Sequence, residues 1–151
     1  MKSLFIISVA ILTSISMEAQ KYFKVLGATS QSWAGGMPQS GTGTTYTIKA
    51  VLLTSHDIRY TDAWVGTEYI VPEVMSFSHS DGRQLTKGDT ILIKIIMHHY
   101  SQDSPMQASL PAYKSPPIAL RGEAMIRYVI GRSEKFLSIP KFKQLPPLSY
   151  P

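Results

Sequence analysis

Four histidines and ten acids set in a hydroxyl-rich chain are the raw material for metal or hydrolytic chemistry. His79-Ser80-Asp81 places an imidazole two residues from a carboxylate, His98-His99 sets two imidazoles side by side, and His56 adjoins Asp57. A metal site needs three or four donors converging at about 2 Å. Adjacent strand residues face opposite ways, so His98 and His99 share an ion only if the strand is bulged there. These spacings match no known ligand pattern, and neither a metal nor a cofactor is expected. A Ser/His/Asp hydrolase would carry a nucleophile elbow of the Gly-x-Ser-x-Gly kind, which the chain lacks. The run from Gly35-Gly36 to Gly41-Thr42-Gly43 has neither the Lys-Ser/Thr nor the following helix of a phosphate loop. Asp57, Asp62, Asp81 and Asp89 suit turns and strand edges, although a glycosidase pair is defined by separation in space rather than in sequence. The chain reads as a non-enzyme, with a hydrolase as the alternative.

Binding chemistry is better represented. Trp33 is a large aromatic in a polar, glycine-rich stretch. Such a ring either stacks on a sugar or anchors an interface, as in a carbohydrate-binding module, or it plugs the loop onto the end of the domain. The plug is the favoured reading. Charge is also uneven. Lys114, Arg121, Arg127, Arg132, Lys135, Lys141 and Lys143 crowd the last third against Glu123 and Glu134, so the whole net charge of +5 sits there. Arg127, Arg132 and Lys135, on one expected hairpin, are the candidate contacts for an acidic glycan or protein partner. An ordinary solvated surface accounts for the same charges. Nucleic acid is not expected, because basic runs interleaved with aromatics are missing.

The elements that must position these residues are strands. Apolar and polar residues alternate with period two through Thr45–Leu53, Thr90–His99 and Ala124–Ile130, with β-branched and aromatic side chains throughout. Tyr22–Ala28, Ile58–Val65, Glu68–Met75 and Lys135–Ile139 complete the set. In Ile58–Val65, strict alternation puts Ile58, Tyr60, Asp62 and Trp64 on one face and makes Trp64 a core residue. Pro72 marks its run as an edge or bulged strand, because proline donates nothing to a ladder. Gly66-Thr67 and Gly131-Arg132-Ser133 are turns. No amphipathic helix is expected. The fold class is therefore all-β, a two-sheet sandwich of immunoglobulin-like kind, with a small β-barrel as the alternative. Residues 29–44 and the proline-rich 101–117 are expected as long loops, and 144–151 as an extended, polyproline-like tail.

Residues 1–19 are of another kind. Lys2, the apolar run Leu4–Leu12 and the small residues before Ala19 form a secretory signal peptide, leaving 20–151 as one β domain. Nothing later is long and apolar enough for a membrane span. Cysteine is absent, which excludes disulfides, thiolate metal sites and an acylated lipoprotein anchor. About 130 residues suffice for a core without such staples.

Val25-Leu26-Gly27-Ala28-Thr29-Ser30-Gln31-Ser32-Trp33-Ala34-Gly35-Gly36, Ser40-Gly41-Thr42-Gly43-Thr44-Thr45-Tyr46, Asp62-Ala63-Trp64-Val65-Gly66 and the final Lys141–Pro151 stretch are similar to a family of small exported proteins of Bacteroidota-type bacteria. The resemblance spans nearly all of the mature chain. It implies a periplasmic or outer-surface location in a Gram-negative bacterium, and it brings no activity, ligand or site with it.

Overall fold

A computed structural model describes residues 21–36, 41–77, 84–99 and 114–150. The expected signal peptide, His79 and residues 101–113 of the proline-rich stretch lie outside the described residues. The described strands are β1 (Phe23–Ala34), β2 (Thr42–Leu52), β3 (Ile58–Val65), β4 (Glu68–Ile70), β5 (Glu73–Ser76), β6 (Thr90–His99), β7 (Ala124–Ile130), β8 (Ser133–Ile139), β9 (Lys143–Gln144) and β10 (Leu148–Ser149). No helix among the described residues is long and apolar enough to cross a membrane.

Alternation in β2 and β6 builds the front sheet. Tyr46, Ile48 and Ala50 stand opposite Ile95, Ile93 and Ile91, and all except the half-buried Tyr46 are fully buried on the inner face. Each isoleucine withdrawn from water contributes roughly 1.5–3 kcal/mol. The front sheet runs β10-β1-β2-β6-β5, with β9 also on β1, and the back sheet runs β4-β3-β7-β8. With β1, β2, β6 and β5 as strands A, B, E and D, and β4, β3, β7 and β8 as C′, C, F and G, this is an immunoglobulin-like sandwich. Ile48 and Ala50 of β2 and Ile126 of β7 belong to one core between the sheets, on the two strands that antibody domains join by a disulfide.

Three departures from strict alternation explain where sequence and structure differ. The first is a bulge between Tyr60 and Asp62 in β3. An extra residue moves every later side chain to the opposite face. Ile58 and Tyr60 point inward, followed by Ala63 and Val65, whereas Asp62 and Trp64 point outward. Trp64 and Met125 are buried, but outside the main core cluster. The second departure is at Pro72. Glu68–Met75 is not one run: β4 ends the back sheet, β5 ends the front sheet, and the chain crosses between them at Val71-Pro72. The third is the expected 29–44 loop, whose described residues are mostly strand. β1 continues to Ala34 and β2 starts at Thr42, because one side of this polar pairing faces water and needs no apolar residues.

The tail is held by the sheet. Thr29 and Ser30 pair in parallel with Lys143 and Gln144, and Trp33 and Ala34 pair with Leu148 and Ser149. The Leu145 N–H donates to the Ser30 carbonyl at 2.8 Å and the Tyr150 N–H to the Ala34 carbonyl at 3.0 Å. Phe142, buried and edge-on to Tyr46 at 4.9 Å between centroids, anchors the root of the tail.

Inside the sandwich, Phe23, Tyr60 and Tyr128 form an aromatic triad with centroids 5.1–6.2 Å apart. The Tyr60 hydroxyl is buried with no hydrogen-bond partner among the described residues. Burial, reinforced by Tyr128, pushes this phenol well above its ordinary value and keeps it neutral. An unpaired hydroxyl in such a place costs about 1–3 kcal/mol of desolvation. Tyr60→Phe is therefore expected to be neutral or to stabilise by about 1 kcal/mol in urea unfolding. A clear loss of stability would mean that the hydroxyl has a partner.

Candidate functional site

Of the three expected hairpin contacts, Arg127 is committed elsewhere. The β3 bulge turns Asp62 onto the outer face of the back sheet, register-opposed to Arg127 of β7. Asp62 Oδ2 accepts from Arg127 Nε at 2.6 Å and also from Nη2. Oδ1 accepts from the Tyr69 hydroxyl at 2.8 Å and the Lys114 ammonium at 2.9 Å. Burial alone would raise the Asp62 carboxyl. Hydrogen bonds from Lys114, Thr61, Tyr69 and Arg127 outweigh it and hold the group well below the usual carboxylate range. Lys114 also covers the Tyr69 ring at 5.7 Å, and its carbonyl accepts from the Trp64 indole N–H at 2.7 Å. The cluster holds the end of the proline-rich stretch onto the back sheet. Its carboxylate stays charged and fully engaged, which suits fastening better than proton transfer.

Arg132 and Lys135 have different company. They lie at the end of the sandwich where the β2–β3 loop, the turn before β6 and the β7–β8 turn meet. The Lys87 N–H donates to the Ser55 hydroxyl at 3.2 Å and the Gly88 N–H to the Leu52 carbonyl at 2.8 Å, joining two of these connections. The Leu53 N–H donates to the Tyr22 carbonyl at 2.8 Å, bringing in the start of the chain. Lys21 and Lys135 both lie over the Tyr22 ring, at 5.6 and 5.7 Å. The same end holds a depression of about 420 Å³ lined by His56 and Asp57 of the β2–β3 loop, Arg59, Ile130 and Gly131 of the β7–β8 turn. Lys21, Arg59, Lys87, Arg132 and Lys135 thus gather at one end. Among the described residues, Asp57, Asp89 and Glu134 oppose them. The Asp89 carboxylate already accepts from the Thr86 N–H and hydroxyl at 2.9 and 3.2 Å, and Glu134 leans to Arg127 at 3.5 Å.

His56 is the histidine that lines this depression, and its Nδ1 is hydrogen-bonded to the Thr54 hydroxyl. That hydroxyl also accepts the His56 N–H at 3.2 Å, a local turn that holds the loop. No carboxylate orients the ring among the described residues. His98 and His99 end β6 on opposite faces of the strand. Among the described residues no three His, Cys, Asp or Glu side chains are grouped to hold a metal ion.

Trp33 is not a loop plug. It is half-buried in β1 on the outer face of the front sheet, opposite Gly43 of β2 and one strand from His98 of β6. The indole and the His98 ring meet edge-on at 5.2 Å. Family models, curated proteins and solved structures give no match to this chain.

Arg59, Lys87 and Lys21 are distant in sequence from the basic last third, so charge counting along the chain misses them. The tight turns flanking β3, β6 and β7 were the available signal, since loops at one end of a sandwich converge.

Proposed function

We propose that this chain is a non-enzymatic binding module of the bacterial envelope, and that its β2–β3, β5–β6 and β7–β8 end contacts acidic envelope material, such as an acidic glycan. The observation that carries this reading is the convergence of Lys21, Arg59, Lys87, Arg132 and Lys135, from separate stretches of chain, at the end of the sandwich that holds the His56–Asp57 depression, which Arg59 lines. Clustered charge of one sign raises the local concentration of oppositely charged ligands. The apparent signal peptide and the resemblance to exported proteins support the location. A hydrolase built on Thr54 and His56 is a weaker reading, because no third group among the described residues orients the imidazole.

Binding of a uronic-acid polymer tests the proposal. The triple variant Arg59→Glu, Lys87→Glu, Arg132→Glu is expected to lose at least about tenfold in affinity with its melting temperature kept, since all three side chains are exposed. Affinity should also fall as salt rises. Equal capture by wild type and variant would remove the loop end as the contact surface.

A further inference from the structure

We infer that the outer face of the front sheet carries a second site, for an uncharged glycan chain, with Trp33 as its stacking platform. Gly43 makes the room for that ring. Its φ is not positive, so its backbone does not demand glycine. A Cβ there would instead meet the Trp33 ring at 2.4 Å and the Met97 carbonyl oxygen at 2.4 Å. The missing side chain lets the indole lie down against the sheet, with one side packed and the residue still half-exposed.

The neighbours of that ring are uncharged: apolar Leu148 beside it in its own row and Ile96 in the next, with hydrogen-bonding groups between them. Register places Gln31 and Thr45 in the next row and Thr29 and Thr47 in the row after it, with His98 closing the Trp33 row. Rows on one face are about 7 Å apart along the strands, and adjacent strands about 4.8 Å apart. The Gln31 amide is fixed by donating to the Pro146 carbonyl at 2.8 Å, so the tail that pairs with β1 also orders this face. The nearest lysines flank the Thr29–Thr47 row, two rows from the indole: Lys143 of the tail beside Thr29, and Lys94 beside Thr47 and opposite Glu73; Lys49, one row further, covers the Phe77 ring at 4.5 Å. A pyranose has an apolar C–H face and a rim of hydroxyls. A ring bordered by threonine, glutamine and histidine matches both, whereas an acidic ligand would find, among the described residues, no lysine or arginine in the Trp33 row or in the row next to it. The site is separate from the basic loop end in position and in ligand chemistry.

Intrinsic fluorescence tests it directly. Trp64 is fully buried and bonded to the Lys114 carbonyl, so a change on adding ligand reports Trp33. Neutral hexasaccharides of β-1,4-glucose, β-1,4-mannose and α-1,4-glucose are the probes. At least one is expected to give a saturable change below millimolar concentration. Trp33→Ala should weaken that binding at least about tenfold, measured by calorimetry. If that variant fails to fold, Thr45→Lys provides the same test by placing a long charged chain on the face without touching the core. The loop-end triple variant should bind the same sugar unchanged, which separates this site from the acidic-ligand reading. No response to any of the three sugars, or full affinity in Thr45→Lys, overturns the inference.

Discussion

Asp62→Ala is expected to lower the unfolding free energy by about 3–5 kcal/mol at neutral pH, the cost of leaving a buried ionic partner uncompensated. The partner that matters is Arg127, whose side chain is 19% exposed, and not Lys114 at 47%. A half-exposed lysine is screened by water and contributes about 0–1 kcal/mol, so Lys114→Ala should be nearly silent by comparison. The effect of Asp62 must also depend on pH. Its folded-state carboxyl is held below the usual range, because the four hydrogen-bond donors outweigh burial. A depressed carboxylate stabilises the fold fully above its unfolded value of about 3.9, and that contribution is lost as pH falls towards the folded-state value. The gap between wild type and Asp62→Ala should therefore be widest at pH 7 and narrow at pH 3 in urea titrations. Other carboxylates cancel in the difference. A gap that does not change with pH would sink the assignment of Asp62 as a charged fastening.

Gly122→Ala is the second change with a large expected effect. Gly122 has φ +88°, where a side chain is strained by about 1–3 kcal/mol. Its Cβ would also lie 2.4 Å from the Ile139 carbonyl oxygen and 2.7 Å from Pro140 Cα. These are backbone atoms at the end of β8 and cannot swing aside, so overpacking adds about 1–3 kcal/mol. The sum, about 2–6 kcal/mol, rivals the whole stability of many small domains. Gly66→Ala is the control: φ is +57° and nothing lies within 4 Å of the added carbon, so only strain remains. If calorimetry shows equal falls in melting temperature for the two variants, the close approach at Gly122 is not what matters. The position also bears on the proposed Trp33 site. Glu123 follows it, donating its N–H to the Ile139 carbonyl at 2.9 Å and accepting the Phe142 N–H at 2.8 Å. That pair of contacts sets the root of the tail, and the tail places Leu148 beside Trp33.

The candidate sites were legible in parts. Arg132 and Lys135 could be named from charge alone, because a basic turn stands out in any numbering. Arg127 could not be separated from them: its fate depends on which way Asp62 faces, and a single bulge residue in β3 decides that. Trp33 was noticeable for its size. Its role was hidden, because the glycine that accommodates it belongs to another strand and carries no positive φ to advertise a turn.

From residues alone came the all-β class, the inner face of β6, the β7–β8 hairpin and the freedom from disulfides. These follow from period-two patterning and composition, which are local properties and survive any arrangement of strands. Tertiary structure alone decided that Pro72 divides one run between two sheets and that the tail closes the edge of β1. It also decided that Trp64 and Asp62 turn away from the core, and that five cations from scattered positions share one end. Each of these depends on register or on contacts between distant segments. A shift of one residue reverses every facing after it, and no local pattern records which segment lies on the other side.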